Sequence, residues 1–251
     1  MKRSCIFCGS DGKLSNEHII SKWIQKHVPK LDNKSTGEFW EAKSSPMQYS
    51  NSLIAGDPLS MTRRIVCERE CNNGWMSTIV KESQPDLEPL LYGDWGKLTV
   101  EGQLRIAKWA ILTALVMEKT LQEQVTEPAE YRHLYNDKHP SAGWRVWIGV
   151  ASEDTKTIWQ HRLFESDCER YALIISCLFV GRLVFMVAGT KPPPLLNACR
   201  MPAGTPLMEI FPSPTAGAAP PSIGEDATRI AMMAMAASTN SAVSFQRMMT
   251  T

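Results

Sequence analysis

Four of the seven cysteines in the chain form two close pairs, Cys5 with Cys8 and Cys67 with Cys71. The first pair stands in the motif Cys5-Ile-Phe-Cys8-Gly9, which has the spacing of a zinc knuckle, where a tight turn brings two thiolates to one tetrahedral ion. The second pair is separated by three residues, a looser match to this pattern. Because four thiolates leave no open position on Zn²⁺, we predict a structural zinc site. The alternative is four unrelated free cysteines.

Polar motifs adjoin both cysteine pairs. The sequence Ser-Asn-Glu-His-Ile, with Glu17 and His18 at its centre, lies between the pairs, and Asn72 directly follows Cys71. This order of cysteine pair, acidic residue with His-Ile, second cysteine pair and asparagine closely resembles the HNH endonuclease family. The match is to its four-cysteine branch, which includes phage junction-resolving endonucleases. The resemblance covers about residues 1 to 80, roughly a third of the chain, and rests on seven positions.

The resemblance implies a ββα-metal fold, in which zinc-bound cysteine pairs hold a β-hairpin against a helix. Cys5, Cys8, Cys67 and Cys71 would then hold the structural Zn²⁺. Glu17 and Asn72 would ligate a catalytic Mg²⁺ or Mn²⁺, and His18 would be the general base. The residue types suit these roles, because hard cations prefer oxygen ligands and a neutral imidazole, with a usual pKa of about 6.5, can take a proton from water near pH 7.

Each of these polar residues also has an ordinary structural explanation. Glu17 could be a charge at a helix N-terminus, His18 a packing residue and Asn72 a turn residue. Adjacent residues of a strand point to opposite faces, so Glu17 and His18 can both serve only if the backbone is twisted there or the strand ends there. The position of all three beside the cysteine pairs favours the catalytic interpretation.

The sequence departs from the family pattern in two places. The middle asparagine of the family, which braces the loop carrying the histidine, is expected about five residues before the second cysteine pair, where this chain has Thr62. Asn72 stands where many members carry a histidine, although asparagine is usual in the four-cysteine branch. Glu17 is longer than the common aspartate but should still reach a metal. We expect the missing asparagine to affect efficiency more than chemistry.

The charge distribution is compatible with nucleic acid as a partner. The chain has a net charge of +1, but residues 1–84 contain 12 Lys and Arg against 9 Asp and Glu. Phosphate contacts need local basic clusters rather than a high total charge. Arg63 and Arg64, next to the second cysteine pair, are the first candidates, and Lys22 is another. DNA is favoured over RNA by the resemblance alone.

The 251 residues fall into three regions that differ in composition and hydrophobic pattern. From these patterns we predict an α+β protein. Residues 1–84 would be the HNH nuclease domain with structural zinc, in which the Ser/Asn/Lys-rich stretch 31–60 is an insertion or extended loop. Residues 85–191 would be an α+β domain of unknown role. Residues 192–251, rich in Pro, Ala, Ser and Thr, would be an extended or mobile tail, with a short apolar segment at 230–237.

The second region combines one apolar helix with strand-forming segments. Apolar residues at helical spacing predict a helix from about Glu101 to Gln122 that is buried on more than one side. Four segments rich in Val, Ile, Trp and Phe predict an antiparallel meander packed on that helix. They are Trp144–Ala151, Thr157–Glu165, Ala172–Phe179 and Gly181–Ala188. The remaining cysteines lack ligand spacing, and Cys177 is expected in the core.

These observations favour a metal-dependent endonuclease that hydrolyses phosphodiester bonds, with bacterial or phage defence as a plausible setting by analogy. The alternative is a non-catalytic zinc module that binds nucleic acid or protein. In a third hypothesis the C-terminal region binds a protein partner or self-associates and regulates the nuclease. No apolar signal-peptide core follows Met1, so a cytoplasmic, reducing location without membrane association is expected, where paired cysteines bind metals before they form disulfides.

Overall fold

The structure is a computed structural model that describes residues 4–28, 36–44, 47–55, 58–94, 96–119, 126–165, 172–191, 207–214 and 222–223. In chain order the strands are β1 (Leu14–His18), β2 (Thr36–Ser44), β3 (Met47–Ala55), β4 (Thr62–Cys67), β5 (Trp144–Glu165), β6 (Ala172–Lys191), β7 (Met208–Phe211) and β8 (Ser222–Ile223). The helices are α1 (Ser77–Leu91), α2 (Val100–Glu118) and α3 (Pro128–Asp137). A mixture of helices and mainly antiparallel strands confirms the predicted α+β class.

A small sheet near the N-terminus contains β1 and β4, which pair antiparallel. Wide helical turns over Glu68–Met76 follow β4 at once and lead into α1. The long connection between the two strands carries the β2–β3 hairpin. The stretch 31–60 thus lies between the two strands of the small sheet, and its interpretation as an insertion stays a prediction. The expectation of an extended loop is wrong for β2 and β3, where backbone pairing forms strands despite a weak hydrophobic pattern.

The larger sheet is built on the long antiparallel pair of β5 and β6. On its other edge β5 pairs with β7, β8 and, near its C-terminal end, β2. The predicted four-stranded meander is wrong, since its first two segments form β5 and its last two form β6. The pairing register shifts near Thr155, opposite Gly181, whose φ of +56° favours glycine. The register shift therefore lies within two continuous strands, and the backbone forms no turn at this point.

Part of the predicted tail belongs to the larger sheet. Strand β7 pairs antiparallel with β5, and its residues Ile210 and Phe211 are buried. An ion pair of 3.1 Å between Arg145 and Glu209 also joins the two strands. The expectation of a mobile tail is therefore wrong for β7, where apolar side chains return to the core. The apolar segment at 230–237 lies outside the described residues.

Helix α2 is buried on most of its surface, as its composition predicted. Its N-terminus is capped by Thr99, whose side chain accepts a hydrogen bond from the Gly102 amide at 3.0 Å. It ends at Glu118, before the predicted Gln122. A bidentate ion pair joins Arg105 of α2 to Asp86 of α1, with nitrogen–oxygen distances of 2.7 and 3.2 Å. Apolar residues from both sheets and all three helices form one buried cluster.

The domain boundary expected after residue 84 stays a prediction. Helix α1 runs across this position, from Ser77 to Leu91.

Within the part of the chain that the structure describes, no helix has the length and apolar character needed to cross a membrane. The apolar segments Ala172–Phe179 and Gly181–Ala188, predicted to form strands, lie in β6.

Trp109 of α2 joins the segment after β1 to the larger sheet. Its indole N–H donates to Ser21 Oγ at 3.0 Å, and its ring packs on Phe185 with centroids 5.1 Å apart. We expect Trp109→Ala to lower the free energy of unfolding by about 3–5 kcal/mol. Trp109→Phe, which keeps most packing but loses the hydrogen bond, should cost about 1–2 kcal/mol.

Urea unfolding followed by circular dichroism measures both changes. Val100→Ala is the control on the same helix, because Val100 is 38% exposed, and it should shift stability by less than about 0.5 kcal/mol. Equal effects of the alanine substitutions at 109 and 100 would contradict the role given to Trp109.

Candidate metal centre and adjoining polar site

The first cysteine pair lies in a tight loop fixed by backbone hydrogen bonds. The amide of Cys5 donates to the carbonyl of Ser10, and the amide of Gly9 donates to the carbonyl of Cys5, each at 2.9 Å. Gly9 has a φ of +72°, a conformation that residues with a Cβ rarely adopt. The Ile6 amide donates to the Ile65 carbonyl at 3.1 Å, which attaches the loop to β4. This geometry is that expected of a knuckle.

The two cysteine pairs meet in space. The sulfurs of Cys5 and Cys71 are 3.6 Å apart, those of Cys8 and Cys67 are 3.5 Å apart, and all four lie within 4.8 Å of one another. A disulfide would need about 2.05 Å. A tetrahedral ion with Zn–S bonds of about 2.3 Å places its sulfurs about 3.8 Å apart. The four close cysteines could therefore bind a metal ion such as zinc.

The protonation chemistry of the sulfurs also fits a cation. Hydrogen bonding between Cys5 and Cys71 lowers the pKa of Cys5 to about 4 and raises the pKa of Cys71. Burial raises the pKa of Cys8 to about 11. Four adjacent thiols thus cannot all ionise near neutral pH by themselves. A divalent cation would stabilise all four thiolates and release protons on binding.

An aromatic layer adjoins both cysteine pairs, since it includes Phe7 of the knuckle and Trp75, four residues after Cys71. Phe7, between the two cysteines of the knuckle, is fully buried and meets the Trp75 ring edge-on with centroids 5.1 Å apart. Tyr131 and Tyr135 of α3 contact Phe7 and Trp75 at centroid distances of 5.7 and 6.1 Å. Trp75 is only 9% exposed and therefore packs within this layer.

The small sheet positions Glu17 and His18. His18 is the last residue of β1 and pairs with Thr62, so the position expected to hold the middle asparagine lies directly opposite the histidine. Glu17 pairs with Arg63 and is partly buried. The pairing of β1 with β4 shifts by one residue between Ser15 and Asn16. Ser15 and Glu17 are both half-buried and Asn16 between them is exposed, as expected if Ser15 and Glu17 share a face of β1. As the strand ends at His18, alternation does not fix the direction of that side chain.

Asn72 contacts β1 from the wide helical turns that contain Cys71. Its Nδ2 donates to Ser15 Oγ at 2.7 Å. This bond engages the amide nitrogen and leaves the carbonyl oxygen Oδ1 as a ligand atom. Because Ser15 and Glu17 share a face, the amide of Asn72 approaches the face of β1 that carries Glu17. Ser15 was not singled out from the sequence, although its position two residues before Glu17 was a usable signal.

The local environment affects both titratable groups of the motif. Burial raises the pKa of Glu17 to about 7, so a nearby cation would strongly favour its ionised form. Partial burial and the charge of Lys22 lower the pKa of His18. The imidazole is therefore neutral near pH 7, the form in which it can accept a proton. The effect of Lys22 also locates this predicted phosphate contact close to His18.

The two arginines expected to bind nucleic acid lie on β4, opposite the Glu17 segment. Arg63 Nη1 donates to the Thr62 carbonyl at 3.1 Å, and Arg64 Nε donates to the Leu14 carbonyl at 3.2 Å. Each guanidinium has five N–H donors, so these bonds leave donors for phosphate oxygens. Arg64 is exposed and Arg63 is half-buried.

The segment after His18 is held by three hydrogen bonds from distant parts of the chain. The Ile19 amide donates to the Met61 carbonyl at 3.1 Å, Ser21 accepts from Trp109, and the Gln25 side chain donates to the Leu59 carbonyl. Ile19, Ile20 and Ile24 are buried. These contacts restrain the loop next to the histidine although the family asparagine is missing.

The structure thus brings the four predicted cysteines together, places Asn72 against β1, and puts Lys22 near His18. It also adds Tyr135 and Trp109, which sequence reasoning did not connect to the site because they come from distant elements. Comparison of the chain with protein-family models, with curated proteins and with solved structures gives no match.

Removal of one cluster sulfur tests the metal centre. We expect the purified chain to bind one equivalent of Zn²⁺, and Co²⁺ in its place should give the thiolate charge-transfer absorption of a four-sulfur site. Cys71→Ser should abolish this band and lower zinc occupancy at least about tenfold, because it removes a buried ligand. Cys177→Ala is the control, since Cys177 is buried in β6 outside the cluster. Equal metal content in both variants would contradict the assignment.

Proposed function

We propose that the N-terminal part of the chain is a metal-dependent endonuclease that hydrolyses phosphodiester bonds in nucleic acid, with a structural Zn²⁺ in the four-cysteine cluster. The observation that carries this proposal is the contact of Asn72 with Ser15, 2.7 Å from nitrogen to oxygen. It joins the residue after the second cysteine pair to the strand of Glu17 and His18. The small antiparallel sheet followed by a helix agrees with the ββα-metal arrangement that the HNH resemblance implies.

Two residues have the chemistry to hold a hard cation. Glu17 would bind it through a carboxylate oxygen and Asn72 through its amide carbonyl oxygen, and neither fills the coordination shell. A bound Mg²⁺ or Mn²⁺ supplies positive charge that stabilises the transition state at phosphorus and the departing oxygen. The partial burial of Glu17 supports the assignment, because a cation offsets the cost of burying its charge.

His18 would act as general base. Its lowered pKa keeps the ring neutral, so it can take one proton from a water molecule as the water oxygen attacks phosphorus. The bond from phosphorus to the leaving oxygen then breaks, and that oxygen takes a proton from solvent. Lys22, Arg63 and Arg64 would hold neighbouring phosphates by charge-assisted hydrogen bonds. The substrate would be DNA by the resemblance alone.

A second candidate function is a zinc module that binds nucleic acid or protein without cutting it. The observation that favours it is Thr62, which lies opposite His18 where the resemblance expects asparagine. The two functions share the metal centre and the basic residues, so only a cleavage assay separates them.

Substitution of His18 tests the catalytic role. With Mg²⁺ or Mn²⁺ the full chain should nick supercoiled plasmid, and His18→Ala should slow nicking about a hundredfold or more, since it removes the proton acceptor. Zinc content and binding of nucleic acid should stay unchanged. His27→Ala is the matched control, because His27 bonds Tyr92 at 2.7 Å at the far end of α1. Binding without cleavage by the wild type, with either metal, would favour the second function.

Substitution of Arg63 tests the phosphate contact. We expect Arg63→Gln to weaken binding of DNA duplexes of different sequence to a similar extent and to reduce the salt dependence of binding by about one unit of slope. Fluorescence anisotropy at several salt concentrations measures both effects. Lys97→Gln is the control, because Lys97 follows α1, a helix that begins near the site and is about 22 Å long. An unchanged slope for Arg63→Gln would exclude this residue from the interface.

A further inference from the structure

We propose that Lys138, at the C-terminal end of α3, is the counter-charge of the four-cysteine metal centre and slows release of its metal ion. A zinc ion with four thiolates carries a net charge of minus two, which a nearby cation stabilises. The proposal goes beyond nuclease activity, since it concerns the metal centre alone.

The geometry places the Lys138 ammonium on the aromatic layer next to the cysteine pairs. Its Nζ lies 4.0 Å from the centroid of the Tyr135 ring and 4.8 Å from that of Trp75. Trp75 follows Cys71 by four residues and packs edge-on against Phe7, which stands between Cys5 and Cys8. Lys138 therefore contacts the layer that touches both halves of the centre.

The backbone of Lys138 adopts the conformation that glycine usually provides at a helix end. Its φ is +53°, and its amide donates to the Leu134 carbonyl at 3.1 Å. A residue with a long side chain is uncommon there. The two cation–π contacts compensate for this conformation and fix the direction of the side chain.

Electrostatic coupling connects Lys138 and Tyr135 to the sulfurs. Burial lowers the pKa of Lys138, and the charge of Cys71 opposes this shift. Asp137 acts in the same direction as Cys71. Desolvation raises the pKa of the Tyr135 hydroxyl, and the charges of three of the four cysteines add to this shift. The ammonium thus lies within electrostatic range of the centre.

Lys119 provides a matched control. Its Nζ lies 4.4 Å from the centroid of the Tyr131 ring, a cation–π contact with another tyrosine of α3. The charge that acts on Lys119 is that of Glu118 and not that of a cysteine. Removal of this ammonium therefore tests loss of a cation–π contact without loss of a counter-charge to sulfur.

The experiment measures transfer of Zn²⁺ from the loaded full chain to an excess of a chromophoric chelator at neutral pH. We expect Lys138→Met and Lys138→Gly to release zinc about three- to tenfold faster than the wild type. Lys138→Arg should stay within about twofold, and Lys119→Met should match the wild type. The difference should shrink in about 1 M salt, where the Debye length is about 3 Å.

The variants distinguish the effect of the lost charge at Lys138 from backbone strain and from loss of folding. Lys138→Gly keeps the left-handed backbone without strain, so faster release from it cannot come from conformational cost. Circular dichroism of each zinc-loaded variant verifies that it is folded. Wild-type release rates for Lys138→Met and Lys138→Gly, or equal acceleration by Lys119→Met, would overturn the proposal. A wild type that takes up no Zn²⁺ would overturn it together with the metal assignment, whereas absence of nuclease activity in a zinc-loaded chain would overturn only the proposed function.

Discussion

The close approach of four sulfurs is the constraint on which the N-terminal part of this protein depends. Sulfurs separated by 59 and 66 positions in the chain lie 3.5 and 3.6 Å apart. Closing such long loops costs conformational entropy, and four adjacent thiolates, three of them buried, would repel one another. A bound cation would offset both costs, so we infer that metal binding and folding of the knuckle, β4 and the following helical turns are coupled.

The close approach of the four sulfurs also determines where the polar residues next to the cysteines lie. Because Asn72 follows Cys71, fixing that sulfur brings the amide to Ser15 of β1. Because side chains alternate along a strand, Ser15 and Glu17 share a face of β1. His18 is the last residue of the strand, so alternation does not fix the direction of its side chain. Contacts from outside, including the bond from Trp109 to Ser21, hold the segment that follows. The second region thereby contributes to the order of the site, in addition to its own core.

Features that depend on residues close together in the chain could be predicted from the sequence. Contacts between distant segments could not. Cysteine spacing predicted the knuckle, and helical periodicity predicted α2, because both depend on residues close together in the chain. Strands β2, β3 and β7 were missed, since their stability comes from pairing with distant partners rather than from their own pattern. The contact of Lys138 with Trp75 had no signal for the same reason: the two residues meet only through the packing of α3 on the aromatic layer.

The most direct test of the central claim is a crystal structure of the full chain with Zn²⁺ and Mn²⁺, with anomalous difference maps measured at the absorption edge of each metal. We expect a zinc peak equidistant from the four sulfurs and a separate manganese peak between the carboxylate of Glu17 and the amide oxygen of Asn72, with the His18 ring facing it. A zinc peak alone, with Glu17 and Asn72 directed away from each other, would contradict the catalytic account and leave a purely structural metal centre.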